Sequence, residues 1–181
     1  MTNKQLIGAA VAGLILFVWQ FLSWSLLPIH QSEMAYHPNQ DKIMEALNQQ
    51  IAEPGTYFLP NVPPGASQEE HHAYMERNAG KPWAMVSYHR SMETSMGMNM
   101  LRGFAADLLA AFLLIWLLGK MGNPSGQTAL LSAVAVGVIG YLAFPYLNSI
   151  WFKSNSLGHL VDAIVPWALV GLWLGWWMNR R

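Results

Sequence analysis

Four long apolar stretches constrain the fold of this chain more than any other feature of its sequence. The first, residues 6–27, is an uncharged run of 22 residues, which as a helix would be about 33 Å long and would cross a bilayer. Three more cover residues 98–119, 128–147 and 157–178. Backbone polar groups inside lipid must be satisfied within the segment, so each stretch is predicted to be a helix. We therefore predict an all-α membrane protein with four transmembrane helices, forming a single membrane domain over residues 1–181.

The composition agrees with this class of fold. Only 11% of the residues are charged, whereas soluble domains usually contain about 25%. The chain has no cysteine, which excludes disulfides, thiolate metal sites and cysteine nucleophiles. The first apolar run is too long for a signal peptide and is followed by no small-x-small cleavage site, so we expect a retained anchor. Pro145 and Pro166 fall inside the third and fourth stretches and are predicted to kink or locally break those helices.

The distribution of basic residues predicts the orientation. Lys4, Lys120, Arg180 and Arg181 all flank one side of the four stretches, and the short loop on the other side contains only Lys153. Short cytoplasmic loops and ends carry the excess of Lys and Arg in membrane proteins. We therefore expect both termini in the cytoplasm, and residues 29–96 on the periplasmic or extracellular side.

The segment between the first two stretches is acidic. Between Glu33 and Glu93 it contains eight of the ten acidic residues of the chain and four basic ones, for a net charge of −4. A nucleic-acid interface requires a basic patch, so nucleic acid is excluded as a partner of this segment.

Residues 29–96 are nevertheless patterned, and we predict a small α+β extracytoplasmic cap there. Apolar residues every four positions predict an amphipathic helix over residues 40–52. Ser67 and Glu70 form a capping box that opens a second helix. Residues 84–88 read as a strand, which could pair with residues 57–59. So few elements bury too little surface to be stable alone, and we expect the cap to lie on the outer helix ends.

Two short segments carry a resemblance. Trp24-Ser25-Leu26-Leu27-Pro28 closes the first apolar stretch, and Glu53-Pro54-Gly55-Thr56-Tyr57-Phe58-Leu59-Pro60 follows in the external segment. In layout and in this second segment the chain resembles a family of small bacterial four-helix inner-membrane proteins with a Pro-Gly-x-Tyr-Phe-x-Pro-type segment in the first external loop. The resemblance implies a bacterial inner membrane and the four-helix topology, and it implies no functional residues.

Ionisable residues within the apolar stretches are the first candidates for function. Arg102 and Asp107 lie in the second stretch, and His159 and Asp162 lie in the fourth. Charges inside a span cost about 2.5–3.5 kcal/mol each on insertion scales, so they usually find partners. We predict an ion pair between Arg102 and Asp162, with His159 or Asp107 as a third member. The alternatives are a proton or substrate path through Asp107, His159 and Asp162, or interfacial residues without partners.

Two further groups contain residue types that bind metals. Thioether and imidazole groups suit copper, and imidazole also suits zinc. Methionine is equally an ordinary apolar residue at the start of a span, and an acidic helix with histidines is usually just solvated. We therefore expect no cofactor, with copper or zinc as the alternative. The first group is His89, Met92, Glu93 and Met96, followed by Met98 and Met100, and the second is His71, His72 and Glu76.

The sequence contains no catalytic triad, phosphate loop or dinucleotide fingerprint. Four tryptophans crowd the last stretch, and such aromatic surface suits lipid, a partner helix or an apolar ligand. We therefore expect a non-enzymatic accessory or assembly subunit of a larger membrane complex, or a homo-oligomer, with membrane lipids and other subunits or itself as partners. One alternative is binding or transfer of a metal ion or apolar small molecule under the cap, and another is an enzyme acting on a lipid-borne substrate. The four tryptophans are Trp167, Trp173, Trp176 and Trp177.

Overall fold

The structure is a computed structural model, and it describes residues 2–92, 94–122 and 124–180. It confirms four helical stretches that are long and apolar enough to cross a membrane. They begin and end close to the predicted limits. The four stretches are Asn3–Leu26, Met96–Lys120, Gly126–Phe152 and Leu157–Asn179.

The chain divides into two compact units. The first, here called the helical unit, comprises Met1–Ala35 and Ser95–Arg181, and the second, the inserted unit, is Tyr36–Thr94. The predicted cap, residues 29–96, also includes residues 29–35, which belong to the helical unit. In chain order the elements are α1 (Asn3–Phe21), a π-helical turn (Leu22–Leu26), α2 (Gln40–Gln50), β1 (Gly55–Leu59), α3 (Gln68–Asn78), β2 (Ala84–Tyr88), α4 (Met96–Lys120), α5 (Gly126–Tyr141), a second π-helical turn (Leu142–Tyr146), α6 (Leu147–Phe152) and α7 (Leu157–Asn179).

In the helical unit, α1 packs between α4 and α7, and α7 also packs against α5. Small residues allow these close approaches, as membrane helices require. A Cβ on Gly13 would lie 2.9 Å from the Cα of Leu108 on α4, and one on Gly175 would lie 2.9 Å from the Cα of Gly126 on α5. The core between these helices consists of buried aliphatic side chains and alanines, among them Ala12, Leu114, Ile115, Leu118, Ala133, Val170 and Leu174.

The helix ends follow from local sequence, with one correction. The Thr2 hydroxyl accepts a hydrogen bond from the Gln5 backbone N–H, and the Gln5 side chain accepts one from Thr2, which opens α1. Pro145 lies in the second π-helical turn, as its missing N–H leads one to expect. The third apolar stretch was predicted to end at residue 147, but the helical structure extends beyond that residue. The helix resumes after Pro145 and continues as α6 until Lys153, whose φ of 55° ends it.

The inserted unit contains the two helices and the hairpin that the sequence predicts. Strands β1 and β2 are antiparallel, with Gly55 opposite Tyr88 and Leu59 opposite Ala84. The capping box at the start of α3 is confirmed, because the Ser67 backbone N–H donates to Glu70 Oε2 at 2.7 Å and the Glu70 N–H donates to Ser67 Oγ. The Ser67 backbone N–H and the Ser67 hydroxyl both donate to the Glu70 carboxylate, and these hydrogen bonds lower the pKa of Glu70. The backbone hydrogen bond has the larger effect.

Candidate metal centre

The site begins where the chain leaves α1. The π-helical turn Leu22–Leu26 adds a residue to the helical spacing, a feature often found at functional sites. It carries Ser23, which is fully buried, and Trp24. The chain then turns back and buries His30, which is only 6% exposed. The indole of Trp24 stacks on the His30 imidazole, with ring centroids 3.9 Å apart and planes 5° from parallel. The imidazole ring is therefore fixed in orientation.

Both nitrogens of this ring face carboxylates. His30 Nε2 lies 2.9 Å from Asp162 Oδ2, on the second turn of α7, and His30 Nδ1 lies 3.0 Å from Glu33 Oε1. A carboxylate only accepts hydrogen bonds. Whichever ring nitrogen carries a proton therefore donates it to one of these two carboxylates.

Asp162 has two further donors, one from α1 and one from the π-helical turn that follows it. The Trp19 indole Nε1–H donates to Asp162 Oδ1 at 2.8 Å, and the Ser23 hydroxyl donates to the same oxygen at 2.6 Å. Together with His30, three side chains fix this carboxylate.

The predicted ion pair between Arg102 and Asp162 does not form in the described part of the chain. Arg102 is exposed on α4, and α4 packs against α1 rather than α7. That prediction rested on Arg102 and Asp162 lying at similar depths along their helices. However, α1 lies between α4 and α7, and its Trp19 is one of the partners of Asp162. Asp107, proposed as a third member, instead accepts a hydrogen bond from Gln20 Nε2 on α1 at 2.9 Å.

Glu33 connects this network to His159. Its Oε2 lies 3.2 Å from His159 Nε2 on the first turn of α7. One ligand atom from each of His30, Glu33 and His159 can be chosen so that all three lie within 4.8 Å of one another. Among the described residues this is the one group of three or more His, Asp or Glu side chains with metal-binding spacing. The three ligands come from two segments, the loop after α1 and the start of α7.

A glycine allows α7 to begin against this loop. A Cβ on Gly158 would lie 2.7 Å from His30 Nδ1 and 2.8 Å from Glu33 Oε1, closer than side chains tolerate. The Asn155 side chain also donates to Ser32 Oγ at 2.8 Å and ties the α6–α7 loop to the same segment. A cavity of about 270 Å³ lies beside His30 and is lined by Trp24, Ser25, Leu26, Leu27, Pro28, Gln31 and Met34.

The metal residues predicted from the sequence lie elsewhere. His89 and Met92 line an open groove of about 800 Å³ in the inserted unit, and Met92 is 91% exposed. Glu93 lies outside the described residues. Met96 is the exposed first residue of α4.

The second predicted group lies on the surface of α3. His72 Nδ1 is 3.6 Å from Glu76 Oε1, with both side chains largely exposed, and His71 is exposed as well. This is an i,i+4 pair on a solvated helix, without a third ligand in the described part of the unit.

Sequence reasoning named His159 and Asp162 but did not assign a role to His30, Glu33, Ser23 or Trp19. A signal was present in the sequence, namely a histidine and a glutamate three residues apart directly after the first apolar stretch. It could not be connected to His159 without knowing that α1 and α7 are neighbours.

Comparisons with models of protein families, with curated proteins and with solved structures find no match to this chain.

Proposed function

We propose that this chain is a multi-pass membrane protein that binds a divalent transition-metal ion, with Zn²⁺ the best fit, through His30, Glu33 and His159. The observation that carries the proposal is the convergence of these three side chains at one end of the helical unit. A glutamate oxygen lies 3.0 Å from one imidazole nitrogen and its other oxygen lies 3.2 Å from the second. Ligand atoms around a tetrahedral ion with bonds of about 2.0–2.2 Å are roughly 3.3–3.5 Å apart. Little movement separates this arrangement from a coordinating one.

The surroundings of His30 support the same function. Metal-binding histidines usually donate their other ring N–H to a carboxylate, which fixes the tautomer and the ring orientation. Asp162 occupies that position at Nε2, so Nδ1 is the nitrogen that would bind the ion. Asp162 is itself held by Trp19 and Ser23. This set of contacts supplies the outer shell that a metal site needs.

Ligand chemistry and charge favour zinc. Two imidazoles and one carboxylate suit Zn²⁺, whereas Ca²⁺ and Mg²⁺ take six or more oxygen ligands. Two neutral imidazoles, the two carboxylates of Glu33 and Asp162 and a divalent ion sum to zero charge. A neutral assembly is the least costly one beside an apolar bundle. Three protein ligands also leave a fourth position open, as in zinc sites that bind an exchangeable water or substrate.

The membrane and its sidedness belong to the same proposal. Four apolar helices and the excess of Lys and Arg at the ends support insertion with both termini in the cytoplasm. The metal site lies at the opposite end, where α1 ends and α7 begins, and so faces the periplasmic or extracellular side. The resemblance to small four-helix proteins supports a bacterial inner membrane.

Metal binding is tested on protein purified in mild detergent, treated with a chelator and titrated with Zn²⁺. We expect one Zn²⁺ per chain for the wild type and loss of that ion in Glu33→Gln and in His159→Asn. The matched control is His72→Asn, which removes another histidine next to a glutamate and should retain the ion. Equal zinc content in the wild type and His159→Asn would contradict the proposal.

A second candidate function is that of a subunit in a larger membrane complex or a homo-oligomer. The specific observation is the third span, Gly126–Phe152, in which 17% of an apolar 18-residue window is buried within the chain, compared with 28–33% of the corresponding windows in the other three spans. Its free surface offers a face to another helix. Native mass spectrometry of the detergent-purified protein should detect more than one chain, or a second protein, per particle. A single chain at all detergent concentrations would count against this candidate.

A further inference from the structure

A second polar site lies away from the metal ligands, between α1 and α4. Asp107 is the twelfth of the 25 residues of α4, so a spanning helix would place it close to the middle of the membrane. The residue is only 6% exposed. Gln20 Nε2 donates to Asp107 Oδ1 at 2.9 Å. The second oxygen, Oδ2, is buried and has no hydrogen-bond partner among the described residues.

No cation in the described part of the chain compensates this carboxyl. The charged residue of α1 is Lys4, in its first turn, which lies more than four helical turns before Gln20. Arg102, on the same helix as Asp107, is exposed and forms no ion pair with a described residue. The remaining neighbour, α5, carries no Asp, Glu, Lys, Arg or His.

The carboxyl of Asp107 has fewer hydrogen-bond donors around it than the carboxyl of Asp162. Asp162 receives hydrogen bonds from three side chains, which replace the water that an ionised carboxylate loses. Asp107 receives one. An ionised carboxylate buried with one donor and no cation costs far more than a neutral acid with one unsatisfied hydroxyl.

We propose that Asp107 is a proton-binding site, and that its carboxyl is protonated at neutral pH. Gln20 holds this carboxyl in place through its amide N–H, and the Gln20 side chain itself reaches the surface of the helical unit. A hard metal cation needs about six oxygen ligands, and the carboxyl and amide offer far fewer. The ligand is therefore a proton. This inference does not depend on the metal site, because neither Asp107 nor Gln20 is one of the proposed ligands.

The test uses dicyclohexylcarbodiimide, an apolar reagent that enters the membrane and reacts with protonated carboxyl groups. The carboxyl proton moves to one nitrogen of the carbodiimide, and the carboxylate oxygen bonds to the central carbon. The acyl group then shifts from oxygen to nitrogen, which gives a stable N-acylurea without a leaving group. The label adds the mass of one carbodiimide and is located by tandem mass spectrometry of the peptides.

At neutral pH we expect the full-length protein in detergent or liposomes to be labelled at Asp107. The label should persist in Asp162→Asn and fall to background in Asp107→Asn. An unlabelled Asp107, or labelling of Asp162 in preference to Asp107, would overturn the inference. So would protection of Asp107 by sodium but not by choline at constant pH, because that result would make the ligand a metal cation.

Infrared spectroscopy supplies a measurement that requires no reagent. The C=O stretch of a protonated carboxyl lies above the bands of carboxylates and shifts in deuterated water. We expect this band at neutral pH in the wild type and in Asp162→Asn, and we expect Asp107→Asn to lack it. A wild-type spectrum without the band would reject the proposal even if the Asp107→Asn variant failed to fold.

Discussion

Gly158→Ala is the substitution that tests the metal centre most sharply, because it changes no ligand. The new Cβ would lie 2.7 Å from His30 Nδ1 and 2.8 Å from Glu33 Oε1, whereas ordinary contacts begin at 3.4 Å. The two side chains must therefore retreat by about 0.6–0.7 Å, several times the roughly 0.2 Å by which metal–ligand distances can vary.

The surrounding contacts determine which side chain moves. His30 is stacked on Trp24 and bonded to Asp162, so it has little freedom. The Glu33 carboxylate ends a flexible side chain and should swing first, away from His159. We expect zinc affinity to fall by about 10–100-fold, the range found when support for a ligand is lost, which corresponds to about 1.4–2.7 kcal/mol.

Stability without metal should change less. Overpacking costs about 1–3 kcal/mol, and replacing a helical glycine by alanine stabilises by about 0.5–1 kcal/mol, so the net loss is about 0–2.5 kcal/mol. The matched control is Gly140→Ala in α5, where a Cβ meets nothing within 4 Å. That variant should bind zinc as the wild type does and be neutral or slightly more stable.

The assay is competition between the protein and a fluorescent zinc chelator, with thermal unfolding of the metal-free protein measured in parallel. If Gly158→Ala binds zinc as tightly as Gly140→Ala, then His30 and Glu33 do not coordinate the ion as proposed.

Three further outcomes are expected. Asp162→Asn should weaken zinc binding by about 10–100-fold in the same competition assay, while Arg102→Leu should leave it unchanged. Ser67→Ala should raise the pKa of Glu70 part of the way towards its ordinary value of 4.5, as followed by NMR titration. Because this pKa is lowered by folding, the capping contribution is present above pH 4.5 and is lost as pH falls through the folded value, so amide exchange in the first turn of α3 should accelerate in acid. A reporter fused to the C-terminus should be cytoplasmic and one inserted within residues 61–65 external, and a swapped result would reject the proposed orientation.

The local features of this chain could be read from its sequence. Uninterrupted apolar runs predict the four long helices, because lipid leaves the backbone no other way to satisfy its hydrogen bonds. The capping box at Ser67 and Glu70 and the strand Ala84–Tyr88 depend on neighbouring residues alone, and both were found at the expected positions. Pro145 was correctly associated with a local break, although the helix resumes beyond it as α6.

The candidate site could be predicted only in part, since it depends on which helices are neighbours. Arg102 and Asp162 have opposite charges at similar depth, and the sequence contains nothing to say that α1 separates their helices. His30 and Glu33 lie far from His159 along the chain, so their spacing contains no recognisable motif. Glycines such as Gly158 allow these segments to approach, because a larger side chain would clash with His30 and Glu33. This role can be recognised only when the neighbouring segment is known.

The position of α1 between α4 and α7 also explains why the carboxyls of Asp107 and Asp162 have different partners. Successive residues on a helix point about 100° apart. Trp19 and Gln20 therefore cannot both donate hydrogen bonds to the same neighbouring helix. Trp19 donates to Asp162 on α7, together with Ser23 one turn later, while Gln20 donates to Asp107 on α4. The π-helical turn brings His30 back to the α7 side alone. The carboxylate of Asp162 thus accepts hydrogen bonds from three side chains and orients His30, whereas the carboxyl of Asp107 accepts one hydrogen bond from a single amide, which is the basis for proposing it as a proton-binding site.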